Sequence, residues 1–353
     1  MIAHSKPSLG IEEEHAATQV IRSGMLAQGT EVEALEDELA RFLGVDHTIA
    51  VSSGSAALHL ALLALNIDAQ DQVLIPSYVC TALLQAIRHV GAEPLLADID
   101  PETLQLSPTD AHTQKTDKTK AIIAPHMFGK AVDLNSLTQL GVPIIEDCAL
   151  SLGATPNGSP LGSRGLISTF SFYATKVICG GEGGALATSD GNLAEHLRDL
   201  RDYDGRYDDS PRFNYKMTDL QAAIVRVQLG KLPNFIAQRR ELGEHYRSQL
   251  LSTQAHLPSF EPGEFPFRYI VRTHSNAEDL IAAFETHKIS VRRPVFHPLH
   301  RIVNSDATKY QHTDAIHNTA ISIPLYPALT FAEIDHILNS AQEVLCPDSI
   351  PMP

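Results

Sequence analysis

The stretch QVLIPSYVCTALLQAIRHVGAEPLLADI (Gln72–Ile99) decides the fold. It opens with an apolar run, "QVLIP", and closes with another, "EPLLADI", each strand-sized and apolar at consecutive positions. Such runs read as strands buried on both faces. Between them "TALLQAIRHVG" reads as a helix ending in glycine. Strand, helix and strand in that order make a βαβ unit, which requires a parallel sheet covered by helices.

The alternation extends in both directions. Upstream, "TEVEALEDELARFLG" is an amphipathic helix with Val32, Leu35, Leu39, Phe42 and Leu43 on its apolar side and a stop at Gly44. "TIAVSS" follows as a strand and "GSAALHLALLAL" as a buried helix. Downstream come a weak helix "SPTDAHTQ", a strand "KAIIAP", a helix "DLNSLTQLG" and a strand "VPIIED". After Gly184 there is a further strand, "ALATS", and a helix, "NLAEHLRDLRDY". The expected fold class is α/β, a mostly parallel sheet flanked by helices. The polar segment "DGRYDDSPRFNYKM" reads as a long loop. The residues from "TDLQAAIVRVQLGKL" to "AQRRELGEHYRSQLL" read as one long helix bent near Pro233. Beyond Leu257 the pattern becomes linker, strand "FRYIVRT", helix "AEDLIAAFETHK", strand "ISVRRPV" and final helix "FAEIDHILNSAQEVL". We therefore expect a large α/β domain over residues 1–250 and a smaller C-terminal α+β domain over 251–353.

A chain of 353 residues exceeds the size at which single cores usually divide. With 43% hydrophobic residues it can bury a large interior. Its net charge of −15 argues against nucleic acid or anionic membrane as a partner, since phosphates would be repelled. Four cysteines without a C-x-x-C pair suggest a reducing compartment and no zinc site. No signal-like or membrane-length apolar run is present, so the expected location is the cytoplasm.

Open α/β sheets bind ligands at the carboxyl ends of their strands, and three such ends carry polar groups. "VSSGSAAL" turns from a strand directly into a helix at Ser52–Ser55, where free N–H groups can hold an anion. Ser53 or Ser55 acting only as a helix cap explains the same residues. "PIIEDCA" ends in Glu146 and Asp147, whose side chains point to opposite faces, so at most one meets a given pocket. Asp147 suits a metal, a ribose, a protonated ring nitrogen or a helix cap; no metal-ligand spacing accompanies it. In "TFSFYATKVICGGEGGAL" (Thr169–Leu186) an apolar run ends at Lys176, and Gly180, Gly181, Gly183 and Gly184 allow a close approach to the backbone. A lysine among apolar groups loses its proton more easily and becomes nucleophilic; a solvated lysine at the sheet edge is the plainer reading. Together an anion cradle, a buried carboxylate and a desolvated lysine suit pyridoxal 5'-phosphate.

On these residues the chain resembles the DegT-type sugar aminotransferases, a branch of the fold-type I pyridoxal-phosphate enzymes. "SSGSAALHLAL", "ADIDPETL", "KAIIAPHMFGKAVDL", "IIEDCA", "FSFYATKVICGGEGG", "FNYKMTDLQAAI" and "HPLH" occur in the family's order over nearly the whole chain. The resemblance implies that Lys176 is the Schiff-base lysine and proton carrier, and that Asp147 lies at the pyridine nitrogen. It places Gly54, Ser55, Ala56 and Ser171 at the phosphate, and Asn214 at the phosphate of a neighbouring subunit, hence a homodimer with shared active sites. His297 and His300 fall on a substrate-side loop. Cys80 stands where the family usually stacks an aromatic ring, with Tyr78 two residues earlier. Leu150 replaces a usual glutamine or histidine, and Lys216 a usual arginine. The implied activity is amino transfer, with glutamate as donor, to a nucleotide-linked keto-sugar. A keto-cyclitol acceptor and a non-catalytic binding or regulatory member are the alternatives. An oxidoreductase ranks below these, since no G-x-G-x-x-G follows an early strand.

Overall fold

The computed structural model describes residues 1–346; the last seven positions of the expected second domain, 347–353, lie outside the described residues. Seven short strands form the main sheet: β1 (His47–Val51), β2 (Gln72–Pro76), β3 (Glu93–Ala97), β4 (Thr119–Pro125), β5 (Ile144–Asp147), β6 (Ile167–Ser171) and β7 (Gly184–Thr188). Their spatial order is β1-β7-β6-β5-β4-β2-β3, and β2 to β6 run parallel. The mostly parallel sheet is as expected. Strand β7 is the exception, antiparallel to both β6 and β1. The link from β6 to β7 contains no helix, and without a crossover helix the chain returns antiparallel.

The first helices are α1 (Ile11–Ser23), α2 (Thr30–Leu43), α3 (Gly54–Ala64), α4 (Thr81–His89), α5 (Pro108–Gln114), α6 (Leu134–Thr138), α7 (Gly191–Arg201) and α8 (Asp219–Leu250). They cover the sheet on both faces, as the alternation within single strands shows. Ile49 and Val51 pack with Leu58, Leu60 and Leu83, whereas Ala50 between them packs with Leu35, Leu39 and Phe170. Strand side chains alternate between faces, so a strand buried on both sides is mostly apolar along its length, and the polar groups it does bury need partners. Helix α8 is one element through Pro233, started by a capping box between Thr218 and Gln221.

A second core surrounds the two-stranded antiparallel sheet of β8 (Tyr269–Arg272) and β9 (Ala320–Ile323). It includes Val271, Ile321 and side chains of α9 (Ala277–Thr286) and α12 (Phe331–Leu345). Ile2, Tyr246 and Leu250 also pack into it. The Tyr246 hydroxyl donates to the Pro324 carbonyl (3.0 Å). Short helices α10 (Leu299–Ile302) and α11 (Gln311–Thr319) complete this region.

Three local expectations change. "ISVRRPV" does not form a strand, because its partner switches along its length. Ile289 bridges to Ile2 and Arg292 to Ser322, so no continuous ladder develops. Strand β9, within "TAISIPL", supplies the pairing instead. Helix α1 was also unanticipated; its Glu12–Glu14 first turn and left-handed Gly24 cap are its sequence signals.

Candidate active site

Strands β4, β5 and β6 all end at one edge of the sheet, and the loops that leave them border a common cavity of about 780 Å³. Lys176, Asp147, Cys80 and His297 line it together, with His126, Leu150, Tyr173, Arg268, Arg292 and Arg293.

Lys176 lies on the excursion between β6 and β7. Backbone bonds close that excursion from Phe172 N to Gly183 O (2.8 Å), Gly180 N to Phe172 O (2.9 Å) and Ala174 N to Gly181 O (3.0 Å). The glycines after the lysine serve the protein's own packing. A Cβ at Gly180 would stand 2.7 Å from Val225, one at Gly183 2.7 Å from Met217, and one at Gly184 2.5 Å from the Ser53 carbonyl carbon. They let α8 and the start of α3 seat against the lysine's loop; the close approach expected there is made by neighbouring protein. Burial lowers the Lys176 pKa, against the opposing pull of Cys80 and Asp147, and Arg268 lowers it further.

Asp147 ends β5. Its Oδ1 accepts the Ala149 N–H (3.0 Å), and Oδ2 has no hydrogen bond among the described residues. Burial raises its pKa, opposed by that N–H, Lys176 and His126. A carboxylate so placed gains from a cation or an N–H donor arriving in the cavity. Glu146 points the other way, as alternation requires. It accepts from His126 Nε2 (2.8 Å), from the N–H groups of Gly162 (3.0 Å) and Arg164 (2.8 Å), and from that of Gly165. Burial alone would raise its pKa, yet these donors hold it at about 2. His126 accepts the Val132 N–H at Nδ1 (3.1 Å), so its proton sits on Nε2, directed at Glu146. His126, Glu146 and Cys148 crowd together, but the histidine and carboxylate already satisfy one another, and burial pushes the Cys148 thiol well up.

The turn at Gly54 begins α3. Ser53 is indeed its cap, its Oγ accepting the Ala56 N–H (3.1 Å). That engages the Ala56 donor and leaves the Gly54 and Ser55 N–H groups without protein partners among the described residues. The turn rests on Ser171: a Cβ at Gly54 would lie 2.8 Å from the Ser171 Cβ and 3.1 Å from its Oγ. Cradle and hydroxyl are therefore adjacent, as a phosphate needs, and with Lys176 and the half-satisfied Asp147 they fit pyridoxal phosphate.

Other expected residues lie elsewhere. Tyr78 is wholly buried, edge-on to Phe128 with ring centroids 6.4 Å apart, and its hydroxyl has no partner among the described residues. His300 supports the wall from behind: Nδ1 is 2.7 Å from Ser77 Oγ, and the ring stacks on Tyr310 at 4.7 Å. Asn214 is exposed on the long loop, and Lys216 there pairs with Asp202 at 2.8 Å. His126, His4 and the arginines were not anticipated as site residues. His126 comes directly after β4 just as Asp147 ends β5, so the rule that found the aspartate could have found it. The Arg292–Arg293 pair carries no acid nearby in sequence.

Residues 7–342 match the model of the DegT/DnrJ/EryC1/StrS aminotransferase family. The chain is 32% identical to the GDP-perosamine synthase of Vibrio cholerae, over 96% of this chain and 98% of that one. Among solved structures, Spr1654 from Streptococcus pneumoniae in its PLP form superposes with a TM-score of 0.92 at 25% identity, covering 99% of each chain. The aminotransferase TlmJ from Streptoalloteichus hindustanus gives 0.92 at 26%, over 98% of this chain and 99% of that one. No helix among the described residues is long and apolar enough to cross a membrane. By sequence and by fold, this chain belongs to the DegT/DnrJ/EryC1/StrS aminotransferase family and is an enzyme of that family.

Proposed function

We propose that the protein transfers an amino group from glutamate to a GDP-linked keto-sugar, giving a GDP-amino sugar, as a cytoplasmic homodimer with shared active sites. Its cofactor is pyridoxal phosphate. Kinship with a GDP-perosamine synthase over nearly the full chain supports the substrate class, and the PLP-form neighbour supports the cofactor. The observation that carries the reading is Lys176 and Asp147 facing one cavity.

When bound, pyridoxal phosphate supplies the carbonyl that takes up the amino group and the electron sink that makes the donor's α-carbon acidic. The protein's residues divide the remaining work. The Gly54 and Ser55 N–H groups, with the Ser55 and Ser171 hydroxyls, hold the phosphate, while Ala56 contributes through its bond to Ser53. Asp147, held at Oδ1 by Ala149, offers Oδ2 to keep a proton on the ring nitrogen. Lys176 Nζ, whose ammonium form burial disfavours, takes the proton from the donor's α-carbon and returns one as the sugar is aminated. His297 contacts substrate at the mouth, with His300 behind it. Cys80, on the cavity lining with Lys176, would contact the cofactor, and the buried Tyr78 packs behind that lining against Phe128. Asn214, exposed on its loop, reaches the partner subunit's phosphate.

The test is the visible spectrum of the cofactor-loaded protein. A band that bleaches with glutamate, bleaches equally with GDP-perosamine and is missing from Lys176→Ala is the expected result. Protein that never acquires a band refutes the cofactor reading. A band that answers glutamate and ignores GDP-perosamine refutes the sugar acceptor and favours a keto-cyclitol.

A further inference from the structure

Tyr215 grips the start of α3 at two points. It lies where the long loop, exposed over residues 203–211, returns to the body of the protein. Its carbonyl accepts the Ser52 N–H (2.7 Å), one residue before the Ser53 cap. Its hydroxyl lies 3.1 Å from Nδ1 of the buried His59, on the second turn of the helix. The Gly54 and Ser55 N–H groups, which the cap leaves open, fall between those two points in the chain.

The grip is itself held from outside. Tyr215 N donates to the Arg201 carbonyl (3.0 Å) and Phe213 N to that of Leu200 (2.9 Å), both at the end of α7. The Phe213 and Tyr215 rings stack with centroids 4.9 Å apart, and the His59 ring meets them edge-on at 5.0 and 5.9 Å. His89 of α4 closes the cluster, 5.5 Å from His59. At the base of the loop Lys216 pairs with Asp202 (2.8 Å) and Asp204 (2.5 Å). Burial and His89 lower the His59 pKa, and burial raises that of Tyr215. At neutral pH the imidazole is therefore uncharged and the phenol keeps its proton, so the bond between them buries no charge.

We infer that Tyr215 and His59 position the phosphate cradle: Tyr215 ties Ser52 and the second turn of α3 to one residue, and so fixes the direction of the Gly54 and Ser55 N–H groups. This rests on the assignment of that turn to the cofactor's phosphate in the function proposed above. Donors at a helix start bind an anion better when they already converge before it arrives. The turn has little stiffness of its own, since Gly54 carries no side chain and only rests on Ser171. The Ser53 cap is part of the same turn and moves with it. Tyr215 supplies from a distant element the rigidity that the turn lacks. What it strengthens is the hold on the phosphate, so the effect belongs to the phosphorylated cofactor and not to its ring.

The experiment titrates the full chain, stripped of cofactor, with pyridoxal phosphate and separately with unphosphorylated pyridoxal, following the visible band. Wild type is compared with Tyr215→Phe, His59→Leu, His59→Asn and the double variant Tyr215→Phe/His59→Leu. Loss of one buried bond predicts that Tyr215→Phe raises the pyridoxal phosphate dissociation constant at least about threefold, with pyridoxal within about twofold of wild type. His59→Leu should do the same, and His59→Asn, which keeps a hydrogen-bonding group near the place of Nδ1, should lie closer to wild type. The double variant should be no weaker than the weaker single one, because both changes remove one bond. Equal losses with the two ligands would overturn the inference, since a general loosening of the fold acts on both. So would unchanged pyridoxal phosphate affinity in Tyr215→Phe, or losses that add in the double variant. If His59→Leu does not fold, Tyr215→Phe and His59→Asn decide by the same comparison. Wild type that binds the phosphorylated and unphosphorylated rings equally well refutes the phosphate assignment itself, a result distinct from any of these.

Discussion

Replacing Glu146 by glutamine tests how the site is anchored. Glu146 is fully buried and its oxygens face donors throughout: His126 Nε2 and the N–H groups of Gly162, Arg164 and Gly165. Its folded pKa is about 2, against 4.5 for an ordinary glutamate. At 1.36 kcal/mol per pKa unit that depression is worth about 3 kcal/mol of stability. Because the folded value is the lower one, this stabilisation is complete above about pH 4.5 and is lost as pH falls toward 2. By about pH 3.5 roughly 1.4 kcal/mol of it should be gone. Glutamine has the same shape, but it is uncharged at every pH and turns an N–H toward backbone donors. Glu146→Gln should therefore cost at least about 3 kcal/mol at neutral pH. The gap from wild type should narrow by about 1.4 kcal/mol at about pH 3.5. Urea unfolding of both proteins at the two pH values measures it. A loss below about 1 kcal/mol, or a gap that does not change with pH, would refute the account of a donor-saturated carboxylate. Its consequence for function is direct: Glu146 fixes the turn at Gly162–Gly165 and the His126 ring, and the next residue is Asp147.

Gly54→Ala places a methyl group 2.8 Å from the Ser171 Cβ, displacing the hydroxyl from the cradle. The cofactor's dissociation constant, measured by absorbance titration, should rise by about tenfold or more through the loss of one charge-assisted contact; unchanged affinity would move the phosphate elsewhere. Tyr246→Phe removes the buried bond to Pro324 and leaves that carbonyl unpaired. It should cost about 1–2 kcal/mol in urea unfolding with cofactor affinity unaltered; a silent substitution would show that the contact carries no stability.

The strands and the helices that cover them were legible from sequence because the central strands are buried on both faces and most of the helices on one. Those two kinds of burial leave different periodicities. Ser53 shows the limit of that reading. From sequence, a cap and an anion cradle were competing explanations; the structure shows the cap, and it leaves the Gly54 and Ser55 N–H groups without protein partners among the described residues, so the cap does not preclude the cradle. The glycines after Lys176 show another. Their need for space was plain, but the groups that fill it, Val225, Met217 and Ser53, come from elements far away in sequence. Strand β9 was missed because the four residues Ala320–Ile323 before a proline are too few to carry a periodicity, and only pairing with β8 makes them a strand.

By itself the sequence determined the α/β architecture, the strand ends that carry Lys176 and Asp147, and the family, since these arise from local patterns and from motifs in order. Tertiary structure alone decided which groups meet. Glu146 and Asp147 are adjacent residues with opposite fates, one saturated by donors and one left open to the cavity. His4 and Arg268 are 264 positions apart, yet they form one wall of the site. Such meetings depend on how separate elements pack in space, and no local periodicity encodes that.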